Sequence, residues 1–284
     1  MTFTLTTDKY DISVLNAIRR TLMSGIPVYS IDTIEIIKNT SILNNDILNH
    51  RISLVPSNIQ SNSIKINIVC HNKSKTEDLD VYSDGIYGLV EGILLITLRP
   101  NQEINLSAET QIRYGRDDGR FSNVTNLILK QHREITSDFN LTSERVKVSP
   151  NWIDLNQIEN INEINGEKSK ITIKDTNKMT LSFESTTHED EEIIFKKALD
   201  ILIETLQKKE LVITDYSIAN MLMWKYYDNI TKTQPKKILS IQKIHPLNKV
   251  FNVKRTPLNN KTFNEEISTC FDDLIELLKS INRI

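Results

Sequence analysis

Glycine is scarce in this 284-residue chain: seven occur, where the usual share of about 7% would give roughly twenty. None falls in a GxGxxG pattern or in GxxxxGK followed by Ser or Thr, so a phosphate-cradling loop is not expected. Cysteine is scarcer still. Cys70 and Cys270 cannot build a disulfide framework or, alone, a four-thiolate zinc site. Both lie in apolar runs, where they read as buried, inert thiols suited to a reducing compartment. The five histidines form neither HExxH nor a Cys/His ligand cluster. No apolar run approaches the roughly 18 residues of a membrane helix. The opening MTFTLTTDKYD lacks a basic region and a long apolar core, so neither a signal peptide nor an anchor is expected. An excess of one charge is missing too, with 35 basic against 37 acidic residues and a net charge of −2. Any nucleic-acid contact must therefore be local. These absences predict a soluble, intracellular protein without metal, cofactor or membrane partner.

What is present is an ordinary globular composition, 39% apolar and 25% charged, on a chain long enough for one large domain or two ordinary ones. It also carries an internal echo. DISVLNAIRR (11–20) returns as DYSIANMLMW (215–224), sharing Asp-x-Ser, a β-branched residue and Asn, with Ile18 matched by Leu222. Met223 and Trp224 stand where the first copy has Arg19 and Arg20.

The first copy reads as a helix capped by Asp11 or Ser13, with Val14, Leu15, Ile18 and Leu22 at helical spacing and Gly25 and Pro27 as its stop. VYSIDTIEIIKN then alternates as a half-buried strand. From about Asn45 to Lys170 short period-2 stretches such as Ile64, Ile66, Ile68 and Cys70 are bounded by the turn residues SDG (83–85), RPNQ (99–102) and GRDDG (115–119). The Asn-rich run 151–170 reads as an exposed loop or short helix.

MTLSFES returns to a strand, and the next segment opens a helix for which Thr186 and Glu189 suggest a capping box. Its apolar residues run from Ile193 to Leu206 and cover more than half the circumference, so it needs cover on two sides. After a short tether come LVIT, the second echo copy, two strands around an HPLN turn, and a last helix. There Ile267, Phe271, Leu274, Leu278 and Ile281 step by 4, 3, 4 and 3, with Ile275 and Leu277 adding a second apolar face. The repeat is one of architecture, and two helices too apolar to stand alone are expected to cover each other.

Asp117 and Asp118 admit a second reading, a carboxylate pair of a metal-dependent nucleic-acid-processing enzyme. The plainer reading is a charged turn, since no third ligand lies at useful spacing.

The stretch NAIRRTLMSGIPVYSIDTIEIIKNTSILNNDILNHRISLVP (16–56) resembles the alpha-like assembly subunits of multisubunit RNA polymerases: bacterial alpha, archaeal D and the third-largest eukaryotic subunit. The matching residues are Asn16–Arg20, Leu22, Gly25–Pro27, Ile31–Glu35, Asn39–Leu43 and His50–Pro56. LRPNQEI (98–104) and FES (183–185) fit the same family. Its His-Ala-Lys-Trp is replaced here by Asp118, Gly119, Arg120 and Phe121, so no role is carried to that corner. The tail is similar to the small partner in that family, archaeal L and its eukaryotic counterpart, through Asp215–Leu222, His245-Pro-Leu247 and the terminal helix. The small partner's His and Gly are Tyr216 and Ala219 here.

The resemblance implies an α+β fold. An alpha-like dimerisation domain (1–44 and 171–208) carries an inserted mostly-β domain (45–170), and a smaller dimerisation domain (209–284) completes an intramolecular pseudo-dimer. The internal interface is expected to use Leu15, Ile18, Leu22, Ile194, Ala198, Ile201, Ile218, Leu222, Phe271, Leu274 and Leu278. Arg19, Arg20, His50 and Arg51 are expected to contact a large subunit. The implied role is a non-catalytic assembly platform of a DNA-dependent RNA polymerase, seating the second-largest and largest subunits. The small zinc-bearing subunits are expected neighbours, DNA is met only through the complex, and no homodimer is expected. The fused form and the Ile/Asn/Lys-rich composition suggest a large DNA virus, hence cytoplasm, virion or nucleus. A scaffold of the same fold in another complex is the further alternative.

Overall fold

The computed structural model describes residues 2–59, 61, 64–137, 171–187, 189–210, 212–213, 215–236, 238–243, 251–256 and 263–282. The 151–170 run, His188 and the HPLN turn lie outside them. Eleven strands form among the described residues: β1 (Thr2–Thr7), β2 (Pro27–Asn39), β3 (Lys65–His71), β4 (Leu79–Tyr82), β5 (Leu94–Leu98), β6 (Glu103–Tyr114), β7 (Val124–Ser137), β8 (Ile171–Ser185), β9 (Val212–Ile213), β10 (Ile238–Lys243) and β11 (Phe251–Thr256). The α-helices are α1 (Ile12–Ser24), α2 (Asn45–Ser53), α3 (Glu191–Gln207), α4 (Tyr216–Tyr226) and α5 (Phe263–Ile281).

All the strand pairing among the described residues is antiparallel. The sheets run β1-β8-β7, β2-β6-β3 and β10-β11-β9, with β4-β5 as a separate pair. Helices α1 and α3 back the first sheet, α4 backs the third, and α2 lies against β2 and β5. Sheets with one covered face alternate apolar and polar residues; the run Ile104, Leu106, Ala108 of β6, buried, between half-buried Glu103, Asn105 and Ser107 is an instance.

Two hydrophobic cores result. One gathers α1, α3, α4 and α5 over the first and third sheets. The other holds Ile31, Leu48, Ile52, Ile66, Ile68, Leu95, Leu98, Ile104 and Leu106. Sheets and cores run across the lines expected at 45 and 170. β2 pairs with β6 and contributes Ile31 to the second core. β7 pairs with β8 from Val124 onward and puts Val124 into the first. The reason is hydrogen bonding: a strand's register is set by the partner that satisfies its backbone.

Two local expectations change. Residues 45–53, expected within a run of strands and loops, form α2, capped by Asn44, whose side chain accepts from Ile47 N at 2.9 Å. It buries Leu48 and Ile52, one helical turn apart. The cap of α3 is Asp190, accepting from Glu192 N at 2.9 Å, and not Thr186. Glu189 instead pairs with Lys197 at 2.5 Å.

The C-terminal end of α1 is pinned against the turn after β6. A Cβ on Gly115 would sit 2.3 Å from the Met23 carbonyl oxygen, so only glycine permits this approach.

Candidate functional site: the helix junction and the outer stripe of α1

The echo begins with a shared cap. Asp11 accepts from Ser13 N at 2.8 Å, and Asp215 accepts from Ser217 N at 2.8 Å. Each carboxylate satisfies a helix-start donor that would otherwise be orphaned. The two helices so started, α1 and α4, pack on one another. α3 packs on α1 and α5, and α5 packs on α4, closing a four-helix ring.

The eleven residues expected at the internal interface fall in this ring. Leu15, Ile18, Leu22, Ile194, Ala198, Ile218, Leu222, Phe271, Leu274 and Leu278 are buried in a single core, and Ile201 is half-buried against it. Polar contacts that sequence reasoning did not find lock α5 in place. The fully buried Tyr226 reaches Glu266 with its hydroxyl at 2.9 Å. Asn229, in the π-helical turn 227–231 after α4, donates to Asp273 at 2.7 Å. Lys209, just past α3, donates to Ser268 Oγ at 2.9 Å and pairs with Asp272 at 2.7 Å. A basic residue after a helix end is visible in the chain; its partners, about sixty positions on, carry no signal of their own.

The four residues expected at a large-subunit contact fall into two groups. Arg20 is exposed, and Arg19 is half-buried with its Nε donating to Asn16 at 3.0 Å. Neither forms an ion pair among the described residues. Exposed Ile12 (47%) and Met23 (44%) flank them, so the outer side of α1 is an apolar stripe with a cationic centre. In the echo copy Met223 and Trp224 pack partly into the core. Arg51 is engaged inside the chain, donating to the carbonyls of Leu94 at 2.9 Å and Leu95 at 3.0 Å. His50 is exposed on the same helix.

Asp117 and Asp118 act as turn-formers. Asp117 accepts from Tyr114 N at 3.3 Å. Asp118 accepts from Arg120 N and pairs with its guanidinium, both at 3.0 Å. Those bonds hold the Asp118 carboxyl below its ordinary range. Arg120 also reaches Asp32 at 3.9 Å, and Arg113 pairs with Asp32 at 3.0 Å, tying the turn to β2. No group of three or more His, Cys, Asp or Glu suited to a metal occurs among the described residues. No described helix is long and apolar enough to cross a membrane.

Antiparallel sheets backed by helices whose apolar sides meet define an α+β packing module. Residues 4–206 match the RNA polymerase Rpb3/Rpb11 dimerisation domain, and the chain belongs to that family. It is similar to the DNA-directed RNA polymerase subunit Rpo3 of Methanobrevibacter smithii, 26% identical over 145 residues, covering 44% of this chain and 53% of the relative. It is similar to subunit 3 of DNA-directed RNA polymerases II, IV and V of Arabidopsis thaliana, 26% over 152 residues, 39% and 48% respectively. Subunit RPAC1 of DNA-directed RNA polymerases I and III of Saccharomyces cerevisiae is 25% identical over 164 residues, 40% and 49%. The chain spans about half the length of the curated relatives it matches.

Proposed function

We propose that this protein is a non-catalytic assembly subunit of a DNA-dependent RNA polymerase, and that it is a fused heterodimer. In this reading 1–208 is the alpha-like partner and 209–284 the small one, and their four helices form the internal seam. The observation that carries the reading is the ring itself. A helix pair from each half contributes to one core, and the two capped helices that echo one another in sequence lie side by side. An obligate interface is large and apolar, and fusion makes its formation independent of concentration.

The second-largest and then the largest subunit would seat on this platform, with nucleotidyl transfer belonging to them. The outer stripe of α1 is the proposed contact, because paired guanidinium forks suit carboxylates and carbonyls of a partner. His50 belongs to the same proposal; Arg51 takes part through the fold of α2 on β5. Zinc-bearing small subunits as neighbours and a viral source, with a cytoplasmic or virion location, complete the proposal.

Affinity purification of the tagged chain from its native source tests the reading. The two large polymerase subunits should co-purify in equal ratio with the chain, and their absence would overturn the assignment. The chain expressed alone should be a monomer, because each half covers the apolar side of the other.

A further inference from the structure

We infer that the open edge of β1 is a docking site for an extended, uncharged segment of a partner polypeptide, which joins the first sheet as a fourth strand. This goes beyond the platform reading and does not depend on which complex the chain serves.

Edges of sheets expose unpaired backbone groups, and proteins ordinarily blunt them with charges, bulges, proline or covering side chains. Three of the other edges here are treated in that way. On β2 the Tyr29 carbonyl accepts from Ser57 Oγ at 3.0 Å and the Ile31 carbonyl from Arg120 at 3.4 Å. The Leu94 and Leu95 carbonyls of β5 are taken by Arg51. β7 is broken by two register shifts and carries Lys130, His132 and Arg133.

β1 has none of these devices. TFTLTT holds no charge and no proline, and its six residues pair with β8 in unbroken register from Thr2↔Glu184 to Thr7↔Met179. Its backbone groups turned away from β8 have no partner among the described residues. Alternate residues of an antiparallel strand face outward, leaving about three donors and three acceptors in a row. The ligand that supplies matching donors and acceptors at that spacing is another extended backbone.

A cavity adjoins this edge. It measures about 370 Å³ and is lined by Phe3, Thr4 and Leu5, by Phe195 and its neighbours on α3, and by Ile281 and Asn282 at the end of α5. No residue of β8 lines it, so it lies on the open side of β1. Its floor is aromatic, with Phe3 and Phe195 stacked at 4.6 Å between ring centres. Phe3 and Leu5 remain half-exposed there. Asn282 stands at its wall, with its side-chain oxygen buried and without a partner among the described residues. Glu192 and Lys196 stand one turn apart on the rim and offset each other, so the site favours no net charge. The occupant is thus a strand of uncharged residues with one apolar side chain aimed at Phe3, Phe195 and Ile281.

The test is a titration of the full chain with an end-blocked hexapeptide, Thr-Val-Thr-Ile-Thr-Val, followed by amide exchange and NMR shifts at residues 2–7. The same peptide with proline for isoleucine is the control. Expected are saturable binding, slowed exchange at β1, and affinity at least about tenfold lower for the proline peptide, which lacks a ladder donor. Thr4→Lys should weaken binding about as much, through a charge on an exposed edge position, without altering the circular dichroism or the melting temperature. Equal binding of both peptides, unchanged β1 amides, or insensitivity to Thr4→Lys would overturn the inference. Formation of a β1-to-β1 homodimer by the free chain would overturn it too, since the edge would then be a self-contact.

Discussion

Leu274 is completely buried in α5, inside the core shared by α1, α3 and α4, so Leu274→Ala asks whether the two halves stand or fall together. The substitution removes three carbons, about 2.5 kcal/mol of transfer free energy, and with the unfilled cavity about 3–4 kcal/mol in all. With a urea slope of about 3 kcal/mol/M for a chain of this size, the midpoint should fall by about 1 M with the slope unchanged. Fluorescence of the half-buried Trp224 reports on the junction, provided Trp152 is replaced by Phe, and far-UV circular dichroism reports on the whole. Both should move as one transition, and amide exchange should accelerate in α1 and α3 as much as in α4 and α5. Loss of protection confined to 209–284, with α1 and α3 as slow as before, would refute the shared core as the unit of stability. The cavity arithmetic would then apply to a small satellite domain alone.

Four further outcomes follow from particular contacts. Arg19→Glu with Arg20→Glu should leave the melting behaviour of the isolated chain nearly unchanged, within about 0.5 kcal/mol, yet abolish co-purification of the large subunits. Arg51→Ala should cost about 1–3 kcal/mol by leaving the Leu94 and Leu95 carbonyls without their donor, read as faster exchange in β4 and β5. The Asp118 carboxyl is held low by Arg120, so its stabilising effect is present above the unfolded-state value and fades as pH falls through the folded one. Asp118→Asn should therefore lower the melting temperature at pH 7 and converge on the unaltered chain in strong acid. The Cys270 thiol is pushed up to about 11 by burial, so in the native chain at pH 8 a thiol reagent should label the half-buried Cys70 well before Cys270.

The parts of this architecture that announce themselves in the sequence are those whose cause is local. Asp-x-Ser caps α1 and α4 because the carboxylate reaches a donor two residues away, and the 4-3-4-3 spacing of α5 fixes a buried side whatever covers it. The cap of α3 is harder to place, because several candidates crowd together: Thr186, Glu189 and Asp190 all suit a helix start, and only the bond from Glu192 N to Asp190 picks out the one that caps. α2 is short and weakly amphipathic, so its two core residues, Leu48 and Ile52, resemble those of a strand-rich neighbourhood. The pairing of β7 with β8 joins segments on either side of the polar run 151–170; strand partners at that distance leave no periodic trace. The arginines show the same limit. Arg19, Arg20 and Arg51 look alike in the chain, but β5 happens to present two carbonyls to Arg51, whereas Arg19 reaches only Asn16 and neither it nor Arg20 forms an ion pair among the described residues.

The connection between the halves separates two sources of the junction's stability. α3 ends at Gln207 and β9 begins at Val212, so the link is short, and Lys209 within it is clamped to Ser268 and Asp272. If apolar packing dominates, lengthening the link should cost no more than its loop entropy, about 0.6 kcal/mol for each doubling of a flexible loop. Inserting about 28 Gly/Ser residues after Glu210 extends a link of about four residues by three doublings, or about 2 kcal/mol, with Lys209 still free to reach α5. Lys209→Ala in the native-length chain should cost less, about 0–1 kcal/mol, because its ion pair is solvent-exposed. Cutting the lengthened link with a protease should then leave two fragments that still elute together at micromolar concentration, because an interface of this apolar character does not need the tether to persist. Separation of the fragments on cutting would mean that effective concentration, and not the core around Leu15, Leu222 and Leu274, holds the halves in register.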